Sequence, residues 1–267
     1  MISVSIIGSG NVAEAFAVAL SQLKSDEVFL REVAGRNPQR LAQIGELIGC
    51  QITTIEALST ADLYILAVSD GAIEEVAQQI KQKAEGATIV HTAGAIPMGE
   101  LSGVIYPMQT FTKGREVNFQ KTPLFIEAKA EVPTDPNDPN DPKKTIIKVA
   151  KTLSKKVIEL NSESRRSLHL AAVFACNFTN AMFSATESIL TRANLDLSLY
   201  RPLVEECVAK VFECGIPPIE AQTGAAKRGD ELTMTRHREL LKEIQSPELT
   251  EIYNIISRYI WETSKRI

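Results

Sequence analysis

The first twenty residues constrain this chain more than any other stretch. Ile2–Ile7 reads as a short buried strand, because Val4, Ile6 and Ile7 are apolar and β-branched. Gly8-Ser9-Gly10-Asn11-Val12-Ala13 follows at once, and then the apolar helical run Ala15, Phe16, Val18, Ala19 and Leu20. Strand, glycine turn and helix in this order make a dinucleotide-binding fingerprint, with Ala13 in the third small-residue slot. Gly8 permits the tight turn. Gly10 has no Cβ, so backbone can approach a pyrophosphate, and Ala13 lets helix and strand pack closely. The helix start offers free N–H groups and the positive end of its dipole. Gly8, Ser9, Gly10, Asn11 and Val12 are therefore the expected phosphate-turn contacts.

A second strand, Val28–Ala34, ends in Gly35-Arg36-Asn37-Pro38. An acidic residue near this strand end bonds the ribose 2′-OH of NAD, whereas an Arg accepts the 2′-phosphate of NADP. Here the tip carries Arg36 with Asn37 beside it and Arg40 one turn on, while Glu32 lies back within the strand. The pattern favours NADP over NAD and makes Arg36 and Asn37 candidate cofactor contacts.

The alternation continues. Residues 38–47 read as a helix, 51–54 as a short strand, 55–59 as a brief helix and 62–68 as the apolar strand DLYILAV. Ser69-Asp70-Gly71 leads into a helix over 72–83, and a strand over 88–92 ends in His91-Thr92-Ala93-Gly94. Strands alternating with helices indicate a parallel sheet of the α/β class. Ligands bind beyond the carboxyl ends of such strands, which adds Val68, Ser69, Asp70, Thr92 and Gly94 to the cofactor candidates. Residues 104–108 and 123–126 look like further strands. The tract VPTDPNDPNDP at 132–142 reads as an exposed loop. A helix over 143–155 and a strand over 157–160 close this part.

From residue 162 the strand signals stop. Residues 164–192 read as one long helix, nearly free of charge from 168 to 186, which predicts burial in a domain or in an oligomer interface. Helices are expected over 199–214, 219–226 and 239–244. Ser246 caps and Pro247 opens a last one, to about residue 264. The predicted organisation is a Rossmann-type domain over 1–160 and an all-helical substrate and dimerisation domain over 161–267.

Chemistry-bearing residues cluster in two places. His169, Val173 and Asn177 recur every four residues and share one helix face at about 100° per residue. His169 is a candidate proton donor, and Asn177 a candidate holder of a carbonyl or hydroxyl oxygen, in an interdomain substrate site. The alternative is a satisfied core amide and a surface histidine. In AQTGAAKRGD, residues 221–230, Thr223 and Gly224 expose donors, Lys227 or Arg228 suits an anionic substrate group, and Asp230 would orient the cation. The alternative there is a glycine-broken helix end with solvated charges. His91 is a further candidate, capping its strand end near the nicotinamide, and Cys176 reads as a small core residue rather than a nucleophile.

Bulk properties exclude other classes. The net charge is -4 and no Lys/Arg run resembles a nucleic-acid stripe. No apolar stretch is expected to reach the roughly 18 residues of a membrane span. With the first strand starting almost at Met1, no signal peptide is expected. Cys50, Cys176, Cys207 and Cys214 show no metal-ligand spacing, so no metal is expected and buried reduced thiols in a cytoplasmic protein are.

Taken together, GSGNVA, GRN, AVSD, HTAG, YPMQTF, HLAAVFACNFTNA and TGAAKRGD resemble the Rossmann-like NADP oxidoreductases with a C-terminal helical domain of unknown function, some of them deazaflavin-dependent. These look like distant relatives of pyrroline-5-carboxylate reductase, ketopantoate reductase and the β-hydroxyacid dehydrogenases. The resemblance covers nearly the whole chain and implies the fold and NADP binding. Two departures stand out. The β-hydroxyacid dehydrogenases carry a Lys one turn before the helix Asn, where this chain has Val173, and their TGP turn has Ala225 here in place of Pro. The expected function is NADPH-dependent reduction of a small C=O or C=N compound by a homodimer joined through the helical domain. The alternatives are a non-catalytic NADP-binding sensor and a deazaflavin-dependent oxidoreductase.

Overall fold

The computed structural model describes residues 1–129 and 141–265. The Pro/Asp/Asn tract expected as a loop lies outside the described residues, save its last two. Of these, Asp141 accepts a hydrogen bond from Lys143 N–H and Pro142 opens the next helix. By contact the chain forms two compact units, Met1–Val173 and Phe174–Ile267.

The first unit is built on one eight-stranded sheet. Its strands are β1 Ile2–Ile7, β2 Val28–Ala34, β3 Gln51–Thr53, β4 Leu63–Leu66, β5 Thr88–His91, β6 Gly103–Pro107, β7 Leu124–Ala128 and β8 Val157–Glu159. Their order is β3-β2-β1-β4-β5-β6-β7-β8. The strand order reverses around β1, between β2 and β4, which is the switch point at which such sheets bind ligands. All neighbours pair parallel except β6 and β7, which pair antiparallel with Tyr106 opposite Phe125. Between these two the chain has only the 3-10 turn Phe119–Lys121, and a parallel return needs a longer crossover.

Helices α1 Asn11–Ser21, α2 Pro38–Ile48 and α4 Pro142–Leu153 cover one face of the sheet, and α3 Ile73–Lys83 covers the other. The two-residue period of the strands sorts their side chains. Val4, Ile6, Leu63, Ile65 and Val90 join Phe16, Ile44 and Val149, while Ile7, Tyr64, Leu66 and Ile89 join Val76 and Ile80. Each such aliphatic or aromatic side chain contributes roughly 1.5–3 kcal/mol on burial.

Helix α5, Ser162–Ala172, stays with the first unit, although the sheet ends at Glu159. Its Arg165 is buried, pairs with Glu127 of β7 and donates to the Ile96 carbonyl at 2.6 Å. Leu168 packs against the Val104, Tyr106 and Phe125 cluster. Ser162 Oγ donates to Glu127 at 2.7 Å and accepts from Met98 N–H at 3.1 Å.

The expected single helix over 164–192 begins two residues earlier, because Asn161 caps it by accepting from Ser164 N–H at 2.8 Å. It also changes winding. Val173–Phe178 is a π-helix, followed by α6 Thr179–Arg192. The i→i+5 bonding of that turn breaks the 100° step on which a common face for His169, Val173 and Asn177 rested. Among the described residues, the run Ser162–Arg192 is long and apolar enough to cross a membrane by length and composition, with a window of mean hydropathy 1.2. This corrects the expectation that no apolar stretch reaches that length.

The second unit adds α7 Arg201–Phe212, α8 Pro218–Ala221, α9 Ala225–Arg228, α10 Glu231–Ile244 and α11 Pro247–Ser264. The helix expected over 219–226 is split, since Gly224 takes φ +104 between α8 and α9. Helix α10 starts at Glu231 rather than residue 239 because Asp230 accepts from Thr233 N–H and Oγ. Ser246 caps α11 as expected. Among the described residues of this unit, the large apolar side chains that are buried are Leu190, Met234, Leu241 and Ile244. The helix expected to be buried is thus open within the chain. All four cysteines are free. Cys176, Cys207 and Cys214 are exposed and Cys50 is half-buried, contrary to the expectation of buried thiols.

Candidate functional site

The motif glycines sit where the chain turns from sheet to helix, for different reasons. Gly8 has φ +143, and a Cβ on it would stand 2.2 Å from the Ala67 carbonyl oxygen at the end of β4. Gly10 has an ordinary φ of -81, and a Cβ there would meet nothing within 4 Å. Helix α1 has no side-chain cap, and its first internal bond is Glu14 N–H to the Gly10 carbonyl. The N–H groups of Asn11, Val12 and Ala13 therefore have no partner within the helix. The Asn11 side chain is engaged elsewhere, donating to the Phe111 carbonyl at 3.0 Å.

A cavity of about 280 Å³ opens at the switch point. The end of β1 (Ile7, Gly8, Ser9), the end of β2 (Gly35, Arg36, Asn37) and the end of β4 (Ala67, Val68, Ser69) line it, with Ile55, Ala72 and Val76. Gly8, Ser9, Arg36, Asn37, Val68 and Ser69 are thus brought together as expected. Arg36 is exposed and has no ion-pair partner among the described residues. Arg40 is engaged with Glu14, whose other oxygen accepts from Gly114 N–H at 3.1 Å. Asn37 caps α2 by accepting from Arg40 N–H at 3.0 Å. Glu32 is fully buried and accepts from Ser59 N–H at 2.8 Å, so it is not a ribose ligand. Asp70 opens the 3-10 turn before α3, and Thr92 N–H donates to the Leu66 carbonyl at 3.2 Å.

His91 is buried with both nitrogens used. Nε2 lies 3.2 Å from the Pro97 carbonyl, and Nδ1 accepts from Ala93 N–H at 3.1 Å. That network assigns the neutral Nε2–H tautomer. Burial pushes its pKa down to about 4, and the nearby Arg165 guanidinium adds to the shift. His91 shapes the 93–97 loop and has no nitrogen left for a substrate.

His169 differs. It is half-buried on α5 and sits over Gly94, where a Cβ would come 2.5 Å from its Nδ1. Tyr106 Oη of β6 lies 3.2 Å from the same nitrogen. Gly94, expected as a cofactor contact, makes room for His169. Sequence reading gave Tyr106 no role, although YPMQTF ends β6 beside the ligand edge; an aromatic at a strand's carboxyl end was the available signal.

In the second unit Asn177 lies exposed on the π-helical turn. Thr223 and Gly224 line a cavity of about 370 Å³, walled by Met182, Ile189, Leu241, Ile252, Ile256 and Ile260. Arg228 is exposed and off that wall, and Lys227 donates to the Glu220 carbonyl at 3.2 Å. Asp230 caps α10, and those bonds hold its carboxyl below the usual range. His237 and Tyr253 form a second pair here, Nδ1 to Oη 2.9 Å.

Comparison with known proteins follows the same division. A profile described as NADP oxidoreductase, coenzyme F420-dependent, matches residues 3–94, and a domain of unknown function, DUF2520, matches residues 139–260. No curated protein matches. A Bacteroides fragilis protein assigned as an NADP oxidoreductase is 36% identical, with 98% of each chain covered and a TM-score of 0.85. A reductive aminase from Aspergillus terreus, in complex with NADPH and ethyl-5-oxohexanoate, is 14% identical over 100% of this chain and 98% of its own, TM-score 0.67. An imine reductase from Myxococcus stipitatus, in complex with NADP+, is 14% identical over 99% and 94%, TM-score 0.64. The last two likenesses are of fold.

Proposed function

The chain belongs to the NADP oxidoreductase family, and from that premise we propose that it is an NADPH-dependent reductase of a small C=O or C=N compound, of hydroxy-acid or imine type. The observation that carries this reading is the switch-point cavity, walled by Gly8 and Gly35, with Arg36 free at its rim and Gly10 open beside it. Arg36 would hold the 2′-phosphate. Gly10 and the free N–H groups of α1 would hold the pyrophosphate, and Val68, Ser69, Asp70 and Thr92 would flank the nicotinamide end. When bound, NADPH supplies the hydride. His169 donates the proton, Asn177 holds the substrate's oxygen or nitrogen, and Thr223, Gly224 and Arg228 bind its remainder.

Incubation with deuterium-labelled NADPH and a panel of 2-keto acids and imines, followed by absorbance and by mass spectrometry of the products, tests the reading. Deuterium carried from labelled NADPH to the product carbon is the expected result. Tight NADPH binding with no turnover across the panel makes the protein a non-catalytic NADP sensor. A deazaflavin partner is the second reading, favoured by the description of the matching profile, and reduction of coenzyme F420 by NADPH selects it.

The second unit supports a homodimer. Phe174, Phe178, Leu199, Leu203, Phe212 and Tyr259 are exposed, and its buried apolar core is small. A second copy of the 29.3 kDa chain covers these side chains in this reading. Sedimentation equilibrium at twice that mass is expected, and a monomer overturns it.

A further inference from the structure

We propose that Tyr106 is the positioning residue of this reductase, holding His169 through Nδ1 so that Nε2 is the nitrogen that delivers the proton. The proposal rests on the reading of His169 as proton donor. Two independent contacts fix the ring. Tyr106 Oη lies 3.2 Å from Nδ1, with the two rings edge-on at 79° and 5.8 Å between centroids. On the other side the ring lies on bare backbone. A Cβ on Gly94 would stand 2.5 Å from Nδ1, 2.7 Å from Cγ and 3.0 Å from the His169 Cβ. Gly94 does not have the positive φ that demands glycine, so the ring itself is what requires the missing side chain.

Tyr106 is suited to the task. It is buried, packed near Phe125 with Val104 and Leu168, and burial pushes its phenol above the usual range. It therefore stays protonated, and among the described residues its hydroxyl has no other partner. The hydroxyl turns to suit either state of the ring. When the imidazole is neutral, the phenol O–H donates to bare Nδ1 and the ring proton sits on Nε2. When the ring is charged, Nδ1–H donates to the phenol oxygen. Nε2 has no partner among the described residues, in contrast to the doubly engaged His91.

The proton step then balances. Reduction of C=O or C=N adds a hydride to carbon, supplied by NADPH, and a proton to the oxygen or nitrogen. The Nε2–H bond of the charged ring breaks and its electron pair stays on the ring. The proton forms the new O–H or N–H bond of the product. The ring is left for the moment with its remaining proton on Nδ1, which donates to the Tyr106 oxygen. Solvent protonates Nε2 again, and loss of the Nδ1 proton to solvent restores the resting tautomer, in which bare Nδ1 accepts from the phenol O–H.

Tyr106→Phe keeps the ring and removes only the oxygen. The chain has three histidines, so the ¹⁵N imidazole resonances are few enough to assign. In the neutral wild type, His169 is expected to show bare Nδ1 and protonated Nε2. In Tyr106→Phe its two nitrogen shifts are expected to move toward each other as both tautomers populate, with His91 and His237 unchanged. Gly94→Ala, which pushes the His169 ring away while leaving both partner side chains unsubstituted, is expected to do the same and serves if the first variant folds poorly. In turnover, kcat is expected to fall about tenfold, the worth of one hydrogen bond, with KM for NADPH unmoved. Identical His169 shifts in wild type and both variants overturn the proposal. A wild type that keeps the shift pattern but turns over no substrate overturns the reductase reading instead.

Discussion

Gly8 presses its Cα against the carbonyl of Ala67 so closely that a methyl group there would stand 2.2 Å from the oxygen. Two residues on, Gly10 touches nothing that a side chain would disturb. One motif therefore holds a glycine that the fold needs and a glycine that the fold does not.

The two should separate by experiment. Gly8→Ala adds backbone overlap and strain at φ +143, and is expected to lower stability by about 1–3 kcal/mol or more. Gly10→Val is expected to cost less than about 1 kcal/mol in the free protein, since the position is a helix N-cap with ordinary φ. It should nonetheless remove the protection that NADPH gives in a thermal-shift assay. Retained protection in Gly10→Val would contradict its place at the pyrophosphate.

The sheet was legible because its rules are local. The β-branched Val4, Ile6 and Ile7 placed β1, the apolar run over 62–68 placed β4, and the glycine turn placed the cavity. The antiparallel β6–β7 pair was not legible, because strand direction depends on what connects the strands. The π-helical turn at Val173–Phe178 was missed because nothing in VFACNF departs from helical composition. For the apolar helix, burial in a domain and burial in an oligomer interface were both open from sequence, because an apolar pattern says that a face needs covering, not what covers it. At the cavity, the place of Arg36 on the lining was legible from its position after β2. The Tyr106–His169 pair joins residues 63 apart and was visible only once β6 and α5 were placed together.

Stability should depend on pH through His91. Its folded pKa of about 4 lies below the ordinary 6.5, so between those values the unfolded chain binds more protons and stability rises with pH. The contribution is fully present above pH 6.5 and is lost as the pH falls toward 4. Over the whole window it amounts to about 3 kcal/mol. Urea unfolding at pH 7 and pH 4.5 is expected to show a larger loss in wild type than in His91→Gln, by about 2–3 kcal/mol. Equal losses would mean that His91 is not held neutral.

The central claim is that this chain holds NADPH by its 2′-phosphate at Arg36. The direct measurement is calorimetric titration of NADPH and NADH into wild type and Arg36→Asp. Wild type is expected to bind NADPH more tightly than NADH. The variant should lose roughly tenfold or more for NADPH while NADH changes little, because a charge-assisted bond to phosphate becomes a repulsion. Equal loss for both nucleotides, or a wild type that binds NADH as tightly as NADPH, would contradict the account.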